Sequence, residues 1–143
     1  MSMRDILERK CRNVETIGLS ETLKTAADKM REKRIAALVV MERAAVRGII
    51  TERDIVQAIS QHGLALLSKK IVDVMSKEVV MVKIDESVKQ AMRLMTRYRT
   101  RHLLVLNEGA LAGIVSIGDA VKHRLEDLEL EANVLRDAYI AAH

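Results

Sequence analysis

A chain of 143 residues, 49% apolar and 31% charged, has the size and balance of a compact domain with a real core, which excludes a disordered tail. Its net charge of +4 admits an anionic partner such as a phosphate, whereas the lack of Phe and Trp leaves only Tyr98 and Tyr139 to stack on bases and disfavours nucleic acid. No run approaches the ~20 apolar residues of a membrane span, MSMRDILERKC lacks the apolar stretch of a signal peptide, and the single Cys11 cannot form an internal disulfide, so a cytoplasmic protein is expected.

In chain order, MRDILERK is expected to form a helical turn and Val14 to Ile17 an edge strand. Ser20 and Thr22 offer helix N-caps, after which Leu23, Ala26, Ala27 and Met30 fall at i, i+3, i+4 and i+7, the spacing of an amphipathic helix. Ile35 to Met41 and Val46 to Ile50 are apolar runs joined by a polar turn at Glu42 and Arg43, which reads as a hairpin. Thr51 opens a helix to Gln61 that His62 and Gly63 terminate. Residues 64 to 78 form a connector. The same order then returns: strand Val79 to Val82, cap Asp85, and a helix carrying Val88, Ala91, Met92 and Met95. Strands Arg101 to Leu106 and Leu111 to Val115 follow, flanking an Asn107-Glu108-Gly109 turn. Ser116 opens a last helix that runs without a breaker to the C-terminus.

The recurrence is a duplication. At an offset of 65 residues Glu21, Ala26, Met30, Leu38, Val40, Gly48, Ile49, Asp54 and Val56 meet Glu86, Ala91, Met95, Leu103, Val105, Gly113, Ile114, Asp119 and Val121 without a gap. A period this long exceeds that of solenoid repeats and implies two βαββα copies related by a pseudo-twofold axis. The expected fold is therefore mixed α/β (α+β) with an extended C-terminal helix. Its organisation is a first repeat over 1–63, a second over 64–125 with the connector at 64–78, and a helical extension over 126–143.

Each repeat ends its second long strand in the same device, GIITERD at 48–54 and GIVSIGD at 113–119. A hydroxyl, Thr51 or Ser116, stands three residues before a carboxylate, Asp54 or Asp119. Either copy alone is also a helix capping signature. Used twice, at the end of a buried strand facing a helix start, the pair also suits a nucleoside phosphate. The carboxylate accepts from a ribose diol, and the helix-start N–H groups attract phosphate.

The duplicated βαββα order, the two strand-end motifs and the IVDVM lead-in at 71–75 resemble the tandem cystathionine-beta-synthase (CBS) domain pair, or Bateman module, over residues 4 to 125. TERD in the first repeat, RHLxV followed by SIGD in the second, and the long last helix resemble small stand-alone bacterial CBS-pair proteins. The resemblance implies binding of AMP, ADP, ATP, NAD(H) or S-adenosylmethionine in clefts between the paired repeats. It matches Asp54 and Asp119 to the ribose-binding acid and Thr51 and Ser116 to the hydroxyl, with Arg53 and Gly118 beside them. Arg101 matches a position where some members set a basic residue against phosphate, next to His102, whereas the first repeat has Ala36 there. The family commonly places proline in the following strand, where this chain has Val39 and Leu104.

No G-x-G-x-x-G, P-loop, H-E-x-x-H or nucleophile with a nearby base is present, and two acids in matching roles suggest two binding sites, not a catalytic acid and base. The expected function is a non-enzymatic, energy-sensing regulatory module without a metal; a basic nucleic-acid-binding protein and an S-adenosylmethionine-binding module are the alternatives. Val121, Leu125, Leu128, Ala132, Leu135, Tyr139 and Ala142 recur at heptad spacing along the last helix. A homodimer through this helix is expected, with its first two turns against the chain's own sheet, and a downstream protein target that the residues do not identify.

Overall fold

The computed structural model describes residues 1–10 and 14–142. Cys11 lies outside them. Along the chain run α1 (Met3–Lys10), β1 (Thr16–Gly18), α2 (Leu23–Lys33), β2 (Ala37–Glu42), β3 (Ala45–Thr51) and α3 (Glu52–His62). Two 3-10 turns, Leu64–Ser68 and Ile71–Asp73, lead to β4 (Met81–Lys83), α4 (Val88–Arg97), β5 (His102–Asn107), β6 (Ala110–Ser116) and α5 (Ile117–Ala142). The two βαββα copies are β1-α2-β2-β3-α3 and β4-α4-β5-β6-α5. Each builds a three-stranded sheet whose first pair is parallel and whose second pair is an antiparallel hairpin.

The packing follows the sequence pattern. In the first repeat Leu23, Ala26 and Met30 of α2 bury one helical face against Leu38 and Val40 of β2 and Ile50 of β3. In the second, Val88, Ala91 and Met95 of α4 do so against Leu103, Val105 and Val115. Both hairpins turn through left-handed residues, Arg43 at φ 57° in the first and Glu108 at 50° with Gly109 at 82° in the second. The helices α2 and α4 also end alike. Arg34 and Arg99 take φ of 55° and 51°, and the N–H groups of Ile35 and Thr100 reach back to the Met30 and Met95 carbonyls, which satisfies orphan acceptors of the last turn.

The expected proline positions are filled by donors. Val39 and Leu104 are fully buried, and their N–H groups donate to the carbonyls of Glu15 (3.2 Å) and Val80 (3.0 Å), bonds that proline cannot make. Beyond them each hairpin shifts register, between Val40 and Met41 in the first repeat and between Val105 and Leu106 in the second.

Three local expectations are corrected. The N-terminal turn is a full helix, α1, and it packs with the second repeat: the compact units are Asn13–Val79 and Met1–Arg12 with Val80–His143. The cause is visible in the backbone. Met3 and Arg4 donate to the carbonyls of Glu86 and Ile84, the same bonds that Ile71 and Val72 make to Glu21 and Leu19 in the first repeat. So α1 stands in the second repeat where Ile71–Asp73 stands in the first, with Met3 and Ile6 entering the core. Secondly, the cap of α4 is Ser87, whose hydroxyl accepts from Gln90 N–H, while Asp85 pairs with Arg4 at 3.2 Å. Thirdly, the buried face of α5 is Ala120 and His123, and the seam residues Val121 and Leu125 are 42% and 54% exposed.

Candidate functional site

Each site begins where a strand hands over to a helix. β3 ends at Thr51, paired with Ala37, and β6 ends at Ser116, paired with His102. The Thr51 hydroxyl accepts from Asp54 N–H at 3.2 Å while Asp54 Oδ2 accepts from Thr51 N–H at 3.0 Å. In the second repeat Ser116 Oγ accepts from Asp119 N–H at 3.1 Å, and Asp119 Oδ2 accepts from Ser116 N–H at 2.9 Å. Both motifs are complete capping boxes. Capping alone therefore accounts for the hydroxyl and acid at this spacing.

The caps do not exhaust the site. The first helical N–H groups, of Glu52 and Ile117, donate to the carbonyls of Ala36 (2.9 Å) and Arg101 (2.8 Å). The third, of Asp54 and Asp119, go to the hydroxyls. Among the described residues the second, of Arg53 and Gly118, have no acceptor and stand at the positive end of the helix dipole. Each carboxylate also keeps Oδ1, which accepts no hydrogen bond among the described residues.

The repeats differ in their charges. Arg53 is exposed at the start of α3, where the second repeat has Gly118, also exposed. A side chain at Gly118 would meet only Ser116 Oγ, at an ordinary 3.6 Å, so packing does not demand glycine there. Conversely Arg101 is exposed ahead of β5, where the first repeat has Ala36. His102 is half-buried in β5 opposite Ser116, its N–H on Thr100 Oγ1 at 3.4 Å. Arg97 leans over the Tyr98 ring at 5.6 Å.

One contact at the second strand end has no signal in the sequence. Lys10, the last residue of α1, donates from Nζ to Asp119 Oδ2 at 2.8 Å and to the Ile114 carbonyl at 2.9 Å. Residues so distant along the chain meet only because α1 joins the second repeat. Burial of the Asp119 carboxyl pushes its pKa up, but the Lys10 hydrogen bond, the Ser116 N–H and the Lys10 charge outweigh this and hold it below the usual 3.8. Asp54 has no ion pair among the described residues. Beside Lys10 lies a pocket of about 90 Å³ walled by Ile6 and Arg9 of α1 and by Asp119, Lys122, His123 and Glu126 of α5. It is smaller than the roughly 300 Å³ that a drug-sized ligand requires.

A family model for the CBS domain matches twice, over residues 3–61 and 71–126, the same two stretches that carry the duplicated geometry. The chain belongs to the CBS-domain family. This CBS pair is 33% identical over 147 residues to the mitochondrial CBS domain-containing protein CBSX3 of Arabidopsis thaliana, covering 93% of the present chain and 71% of that protein. Its fold matches the crystal structure of the CBS-domain containing protein ATU1752 from Agrobacterium tumefaciens at TM-score 0.83 and 40% identity, over 87% and 99% of the two chains. It also matches the CBS domain protein PAE2072 from Pyrobaculum aerophilum, solved in complex with AMP, at TM-score 0.76 and 25% identity, over 92% and 99%. Among the described residues of this CBS pair, no helix is long and apolar enough to cross a membrane, and no group of three His, Cys, Asp or Glu is placed to hold a metal ion.

Proposed function

We propose that this CBS pair is a regulatory module that binds an adenosine-containing nucleotide (AMP, ADP, ATP or NAD(H)) and acts by binding, not by catalysis. The observation that carries the reading is the doubled strand end. In each repeat a carboxylate with an open oxygen, a hydroxyl and an open helix-start N–H converge within one turn. A ribose diol donates to the carboxylate, and a phosphate accepts from the N–H and from one arginine per repeat, Arg53 in the first and Arg101 in the second. Thr51, Asp54, Ser116 and Asp119 are the sugar-facing set, with Gly118 and His102 beside them. The AMP complex of PAE2072, a protein of the same fold, supports the ligand class.

A homodimer joined through α5 transmits the signal to a partner protein. Support comes from the helix itself: every described residue from Leu128 to Ala142 is exposed, including Leu135 at 71% and Tyr139 at 65%. The test is thermal unfolding with native mass spectrometry of the purified protein. A ligand that binds only the folded state stabilises it by about 2.7 kcal/mol at a hundred times its dissociation constant. AMP, ATP or NAD(H) raises the transition and guanine nucleotides raise it less. Equal shifts with inorganic phosphate alone would mean that only charge is being read.

A further inference from the structure

The two strand ends are not equivalent acceptors, and the difference comes from α1. An ionised carboxylate offers about four lone-pair positions, two on each oxygen. Capturing both hydroxyls of a diol side by side uses one on each oxygen. Among the described residues Asp54 Oδ2 takes only Thr51 N–H, so it retains a position for a second hydroxyl. Asp119 Oδ2 takes Ser116 N–H at 2.9 Å and Lys10 Nζ at 2.8 Å, which fills it.

The contact is held in place. Lys10 Nζ is anchored a second time on the Ile114 carbonyl, and its side chain and that of Asp119 are only 25% and 24% exposed, so solvent screens the pair less than it would on an open surface. We infer that Lys10 is an internal occupant of the second-repeat site, which must leave Asp119 before a ribose diol can be taken up there. The first-repeat site, with no cation on Asp54 among the described residues, fills first. This inference rests on the nucleotide reading above and adds an order of filling to it. It also makes the docking of α1 part of the response, because a ligand that displaces Lys10 loosens the end of that helix.

The test is calorimetric titration of the full chain with AMP, comparing the wild type, Lys10→Met, Lys10→Arg and Asp119→Asn. The wild type shows a tight step and a weaker one. Lys10→Met removes the occupant while keeping the stem, and tightens the weaker step about tenfold without changing the tight one. Lys10→Arg restores the wild-type pattern, and Asp119→Asn abolishes the weaker step alone. Two equal steps in the wild type, or a weaker second step in Lys10→Met, would overturn the inference and make Lys10 a contact for the ligand's phosphate. Absence of AMP binding in every variant would overturn the nucleotide reading along with it. Circular dichroism and the unfolding midpoint of each variant separate these outcomes from a loss of fold.

Discussion

At the scale of single residues, the proposed reading gives one acid in each repeat two tasks. Asp54 and Asp119 cap the helices that follow them, and the Oδ1 of each, which accepts no hydrogen bond among the described residues, is the oxygen proposed to receive a ligand. Asp119 also anchors Lys10, and its depressed pKa gives that pairing a pH signature. A carboxyl whose folded pKa lies below its unfolded value contributes stability above the unfolded value, and the contribution is lost as pH falls through the folded one. Lys10→Met is therefore less stable than the wild type in urea near pH 6, and the difference shrinks as pH falls through the lowered pKa of Asp119 and vanishes once Asp119 is protonated in both. A difference that persists in acid would place the effect of Lys10 in its stem packing and its Ile114 bond.

At the scale of elements, the two motif glycines mark where the lead-in segment crosses the last strand. A Cβ on Gly48 would lie 2.4 Å from the Ser76 carbonyl oxygen, which is held in a two-bond bridge to Ile49. On Gly113 it would lie 2.6 Å from Leu7 Cδ2, the end of a side chain that can turn away. Gly48→Ala is thus expected to cost about 2–3 kcal/mol by denaturant unfolding, in the upper part of the usual range for overpacking, and Gly113→Ala about 1 or less. Equal losses would contradict the difference in what each strand touches. Much of this level was legible in the sequence. The apolar periodicity of α2 and α4, the hairpins and the caps at Thr51 and Ser116 follow from local chemistry, and the duplication checked each reading against its copy. What was not legible is long-range. The cap of α4 was misassigned because Asp85 and Ser87 are both good caps, and pairing with Arg4 occupies the first. Likewise nothing local says that α1 packs with a repeat that begins seventy residues later, so the Lys10 contact was out of reach.

At the scale of the whole molecule, the proposed regulatory role requires binding to alter something a partner can read, and α5 is the element that runs from the candidate site into solvent. It starts at Ser116 and Asp119, buries Ala120 and His123, and then continues with Leu128, Leu130, Val134, Leu135, Tyr139 and Ile140 all exposed. Such a helix is marginal alone and is stabilised by covering its apolar stripe. Sedimentation is expected to show the full chain as a dimer and a chain ending at Leu128 as a monomer; an equally dimeric shortened chain would move the interface elsewhere. The central claim, that the strand-end carboxylates receive a nucleotide's ribose, is tested most directly by titrating AMP into Asp54→Asn. The amide oxygen can still accept Thr51 N–H, so the helix start is retained while the charged acceptor for the diol is lost. The account predicts an affinity for the first-filled site weakened by about tenfold to a hundredfold, the worth of a hydrogen bond to a charged group, with the unfolding midpoint nearly unchanged. Full wild-type affinity in this variant would contradict it and leave the motif a helix cap.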